Sequence, residues 1–154
     1  MTMHYKIYSY ITLLILILFT NACDSAKNDP MKIIHTKMTT DGLQDGLIVG
    51  VSAPYAAHIG NRLIVAGGCN FPDKPPYEGG AKIYYDEIVM LDSDNPTEWK
   101  QVGTLPVEVA YGVSITLDDN SAVWLGGNND STLLTDGCKV TVDSDEVNIN
   151  PLAN

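Results

Sequence analysis

The chain has 154 residues, a formal net charge of −10 from 19 acidic and 9 basic residues, and one arginine, Arg62. That balance argues against nucleic acid, which demands clustered Lys and Arg to neutralise phosphates, and against electrostatic binding to an anionic membrane surface.

The N-terminus reads as a targeting segment. Lys6 precedes an apolar run of 13 residues, Ile7 to Phe19, too short for a stable span, which needs about 20. Thr20-Asn21-Ala22-Cys23 follows, and a small residue directly before Cys is the pattern of a lipoprotein cleavage site. The expectation is a signal over 1–22, acylation of Cys23, and an exported lipoprotein of the periplasm or outer membrane. An ordinary secretory signal with Cys23 incidental is the alternative. The lipid anchor would be the membrane contact. Fatty-acid labelling checks it: wild type is expected to carry label, and Cys23→Ser to lose it. An unlabelled wild type would overturn the reading.

Residues 23–44 read as a polar tether, DSAKNDP, and a stray strand, MKIIHTK, with a turn at Asp41-Gly42 and a second just beyond, at Asp45-Gly46. Beyond it the chain says the same thing twice, over 45–106 and 107–154. VSAPYAAHIGNRLIVAGG (Val51 to Gly68) and VAYGVSITLDDNSAVWLGG (Val109 to Gly127) each hold a small-residue strand, a turn, an apolar strand and a Gly-Gly pair. A polar loop follows each pair, Cys69 to Ile83 in the first copy. A third strand follows (Tyr84 to Asp92; Cys138 to Asp143), then a fourth (Glu98 to Gly103; Glu146 to Asn150). Short strands rich in Val, Ile, Tyr and Trp, punctuated by turn residues, are an all-β signal, and nothing has a convincing helical period. Four antiparallel strands per repeat make a propeller blade. Gly-Gly and Trp99 match the kelch pattern, with the Trp able to pack on a neighbouring blade.

The run LIVAGGCNFPDKPPYEGGAKIYYDEI, then LPVEVAYGVS, then WLGGNN, resembles the N-acetylneuraminate epimerases, also called sialic-acid mutarotases, and most closely their cyclically permuted branch. The resemblance covers about Asp45 to Asn150. It implies an all-β, kelch-type β-propeller of six blades, of which two lie here. The two blades imply that the chain is the N-terminal part of a longer product; assembly of several copies into a ring is the alternative. The implied activity is an isomerase of carbohydrate metabolism, acting on a small-molecule sugar acid, sialic acid, without a cofactor. Mutarotation opens and recloses a sugar ring and needs an acid and a base. The family's Gly-Glu…Arg segment has no counterpart here, so no catalytic residue is carried over and the chain alone is expected to be inactive. A non-catalytic kelch lipoprotein binding a glycan or a protein is the alternative.

The candidate sugar contacts are Asn70, Phe71, Tyr111 and Asn128. Amides pair with hydroxyls as donor and acceptor, and Phe71 offers a ring face. Asn70 and Asn128 could equally cap turns, and Tyr111, placed on the innermost strand, could equally be packing. Glu78 is a loop carboxylate able to act as an acid, or a solvated charge. Arg62, in the first turn of its blade, falls on the face opposite the long loop. His35 and His58 have no partner at ligand spacing and no CxxC is present, so no metal is expected. Cys69 and Cys138 read as thiols rather than a disulfide.

Overall fold

The computed structural model describes residues 33, 37–144 and 146–152. The export signal, Cys23, His35 and most of MKIIHTK lie outside the described residues. From Lys37 onward, strands β1 (Tyr55–Ile59), β2 (Arg62–Ala66), β5 (Glu87–Asp92) and β6 (Lys100–Thr104) pair antiparallel in that order. They form blade 1. Blade 2 repeats the meander with β7 (Val113–Asp118), β8 (Ser121–Asn128), β9 (Leu133–Asp143) and β10 (Glu146–Pro151).

The turns follow from their residues. Gly60 takes φ +58 between β1 and β2. In blade 2 the Asp118 carboxylate accepts from the Asn120 amide at 2.9 Å and from Ser121 Oγ at 2.8 Å, closing an Asx turn.

The register aligns the two blades residue by residue. Tyr55 faces Ala66 across β1 and β2, as Val113 faces Leu125 across β7 and β8. Just ahead of each first strand, Ser52 bridges Cys69, as Ala110 bridges Asn128. Ala53 and Tyr111 therefore correspond, and both take left-handed backbone, at φ +51 and +64. Gly67 and Gly68 (φ +63 and +95) correspond to Gly126 and Gly127 (φ +62 and +105). A Cβ at Gly68 would come 2.9 Å from Val51 Cβ, and one at Gly127 would come 2.6 Å from Val109 Cγ2. Gly-Gly is thus demanded twice, by the same backbone shape and the same neighbour.

Beyond Gly-Gly the blades differ from the sequence expectation. In blade 2 the strand does not stop: β8 runs through the pair with a register shift and continues to Asn128, opposite Leu133. In blade 1 the third strand breaks at Tyr85 and Asp86. Its first residues instead form β4 (Ile83–Tyr84), which pairs with β3 (Cys69–Asn70). This ribbon folds the long loop back over blade 1. Among the described residues, helix is confined to a single turn, α1 (Asp45–Ile48), where Asp45-Gly46 reads as a plain turn, and a 3-10 turn at Pro76–Glu78. Neither is long and apolar enough to cross a membrane.

The core lies between the blades. Tyr55, Ala57 and Ile59 alternate with exposed neighbours along β1 and meet Ala122, Trp124 and Val140 of blade 2. Tyr55 stacks on Trp124, with ring centroids 5.2 Å apart and planes 6° from parallel, and its hydroxyl donates to the Gly126 carbonyl. Burial, with a smaller contribution from Cys138, holds the Tyr55 phenol above its ordinary pKa, so it stays neutral.

Trp99 does not pack on blade 2. It caps the other side of blade 1, with Val89, Leu91 and Tyr85 beneath it and Leu43, Leu47 and Val51 beside it. Its indole N–H donates to Thr39 O at 3.0 Å. Leu47 and Val51 occupy the places that Leu105 and Val109 hold between the blades. The segment around α1 therefore covers blade 1 as the 105–110 linker covers blade 2. Blade 2's outward side has no such cover: Val113, Ile115 and Leu117 are 55%, 45% and 54% exposed, where Tyr55, Ala57 and Ile59 are buried.

Candidate functional site: the loop face of blade 1

The ribbon β3–β4 gathers one cluster. Lys82, which precedes β4, brings its ammonium to 5.9 Å from the Phe71 ring centre, 5.6 Å from Tyr84 and 5.2 Å from Tyr111. All three lie within cation–π range. Lys82 Nζ donates to Tyr111 Oη at 3.1 Å, and Cys69 Sγ donates to the same oxygen at 3.4 Å. The bond to Tyr111 is the chief reason the Lys82 pKa lies above its ordinary value. Arg62 and Asp92 form an ion pair, and among the described residues no carboxylate forms one with Lys82.

Tyr111 stands just before β7 rather than on it. Its amide donates to Ala53 O at 2.9 Å, tying the start of blade 2 to the start of blade 1, and half its surface is exposed. Phe71 and Tyr84 are half-buried beside it.

Asn70 lies under this cluster with its amide fully engaged. Nδ2 donates to Gly46 O at 2.7 Å and to Gly50 O at 2.8 Å, and Oδ1 accepts from Tyr85 Oη at 2.8 Å. Burial holds the Tyr85 phenol above its ordinary pKa, although the bond to Asn70 works the other way. The bridges align Asn70 with Asn129, not Asn128. Asn129 repeats the role, donating from Nδ2 to Glu108 O at 2.9 Å. Asn128 corresponds to Cys69; its Oδ1 is buried without a hydrogen bond among the described residues. Phe71 and Tyr111 thus converge, Asn70 lies beneath them in a structural role, and Asn128 belongs to the other blade's loop.

Glu78 is exposed in the 3-10 turn. Arg62 is at the far end of β2, paired with Asp92 at 2.9 Å beside a shallow cavity of about 270 Å³ lined also by Met90, Glu98 and Lys100. That cavity is an open hollow of surface charges, with no aromatic floor. His58 Nε2 is 3.0 Å from Ser93 Oγ, and no group of three His, Cys, Asp or Glu among the described residues could hold a metal. Cys69 and Cys138 are free thiols.

Sequence reasoning missed Lys82 and Tyr84. A lysine in a polar loop reads as solvated, and Tyr84 reads as the start of a strand. The available signal was the spacing: Lys82 two residues before Tyr84, at the closing end of the loop that Phe71 opens.

No family model matches the chain. Among known proteins, N-acetylneuraminate epimerase 1 of Escherichia coli O6:H1 is 32% identical over 96 residues, which are 56% of this chain and 25% of that protein. N-acetylneuraminate epimerase of Pasteurella multocida is 31% identical over 118 residues, 65% of this chain and 30% of that protein. Over these stretches the chain is similar to N-acetylneuraminate epimerases. It spans less than a third of the length of these epimerases. A solved structure described as that of YjhT superposes on 66% of the chain, and on 31% of its own length, with a TM-score of 0.57 and 27% identity. The blades of this epimerase relative are thus those of a known fold.

Proposed function

We propose that the chain serves the interconversion of N-acetylneuraminate anomers as two blades of a larger propeller, and that it does not catalyse the step alone. Its kinship with the epimerases supports the substrate. The position of Glu78 supports the inactivity. The ring-opening step needs a positioned acid–base group at the sugar site. Glu78 is exposed in the 3-10 turn, and among the described residues the rings gathered around Lys82 bring no carboxylate with them. The exposed Val113, Ile115 and Leu117 support the larger assembly. Blade 2 itself covers the matching side of blade 1, so the occupant that fits is another kelch-type blade, whether on the same polypeptide or another.

Proton NMR of freshly dissolved N-acetylneuraminate tests this, with light scattering to fix the species in the sample. The purified chain as a monomer is expected to leave the approach to anomeric equilibrium at the buffer rate, while the Escherichia coli epimerase accelerates it. Loss of a positioned acid or base costs about 10²–10⁴-fold in rate. Acceleration by the monomer would overturn the proposal and make Glu78 the first residue to replace.

A further inference from the structure

Comparing the blades separates what the fold needs from what it does not. Asn70 and Asn129 share one bonding role, and both Gly-Gly pairs share one backbone shape, so these are scaffold. The cluster over them is not repeated. Where blade 2 begins with Tyr111, blade 1 has Ala53 in the same left-handed conformation, so the backbone there does not require a ring. Where blade 1 has Tyr84 opposite Cys69, blade 2 has Leu133 opposite Asn128. The short loop from Asn129 to Thr132 carries Asp130 and Ser131 and no lysine.

We propose that Lys82, ringed by Phe71, Tyr84 and Tyr111, is the carboxylate anchor of a subsite for a sugar acid. This deepens the proposed function and rests on it for the choice of sugar. An ammonium among three rings, without a carboxylate partner among the described residues, is a cation positioned by the protein rather than consumed by it. Tyr111 Oη fixes its position at 3.1 Å, and Cys69 fixes Tyr111 in turn. An incoming anion would meet this ammonium beside three ring faces. The rings offer flat apolar area to the sugar's C–H faces, the usual mix of aromatic lining and few polar groups. Lysine acts here as a point charge, without the bidentate fork of arginine.

The test is an NMR titration of the full chain, observing the aromatic rings, with N-acetylneuraminate, its methyl ester and glucuronate. The Phe71, Tyr84 and Tyr111 signals are expected to move with N-acetylneuraminate. The ester and Lys82→Gln should each bind at least ~10-fold more weakly, since each removes one partner of the charged hydrogen bond. Lys82→Arg should retain most of the affinity. Lys82→Gln should unfold at the parent's temperature, since the ammonium is at the surface. If acid and ester bind alike, or Lys82→Gln binds the acid as the parent does, the anchor is wrong and the epimerase reading stands. If glucuronate moves the rings in a Lys82-dependent way and N-acetylneuraminate does not, the anchor stands and the sialic-acid reading falls. If neither acid moves them, the anchor is wrong.

Discussion

Trp124→Ala is expected to remove most of the stability of the two-blade unit. Trp124 is the largest fully buried side chain among the described residues, and it joins the blades through its stack on Tyr55. Replacing a buried Trp by Ala costs about 3–5 kcal/mol, the transfer of its surface plus the cavity left behind. Small domains hold about 5–15 kcal/mol in all. Blade 2's other side is already exposed, so the loss cannot be shared with a second interface. Trp124→Phe should be far milder. It keeps a ring against Tyr55, and it removes an indole N–H that is buried without a partner. Urea unfolding followed by circular dichroism measures both variants. A midpoint for Trp124→Ala close to the parent's would show that the blades do not depend on this contact. Trp99→Ala should instead loosen Leu43, Leu47 and Val51 and leave the blade interface intact.

The contrast between the two tryptophans marks what the sequence could show. Both stand in or beside strand-like runs, and their burial is legible from size and hydropathy. The side of the blade each one faces is not, because it depends on register. One residue of shift exchanges the two sides of a strand. The strands themselves were legible because the repeat states them twice, with turns at Gly60-Asn61 and Asp118-Asp119-Asn120. The ribbon β3–β4 was not, since two-residue strands carry no periodicity and owe their place to contacts with Ser52 and blade 1. Of the site, Phe71 and Tyr111 were legible as aromatics beside special backbone. Lys82 was not: its environment comes from three residues scattered between positions 71 and 111, which only the closed loop brings together.

Asn70 divides the scaffold from the site most sharply, and Asn70→Ala is the variant that decides its role. The amide holds the segment around α1 against blade 1 through two carbonyls, and it accepts from Tyr85. Each such bond contributes about 0.5–1.5 kcal/mol net, so the three together put the expected loss at roughly 2–4 kcal/mol. The loss should be local first. Amides that rest on this tie, Leu47 and Gly50 among them, should exchange with solvent faster than those of β2 and β5. Asn70→Asp should do no better, because a carboxylate in that place would face the Gly46 and Gly50 carbonyls with no proton to donate. A sugar-binding Asn70 would behave in the opposite way. Its alanine variant would keep the parent's unfolding midpoint and exchange pattern while losing affinity for the sugar acid. Hydrogen exchange and the ring-signal titration on the same sample read both quantities, and unchanged exchange at Gly50 would sink the structural assignment.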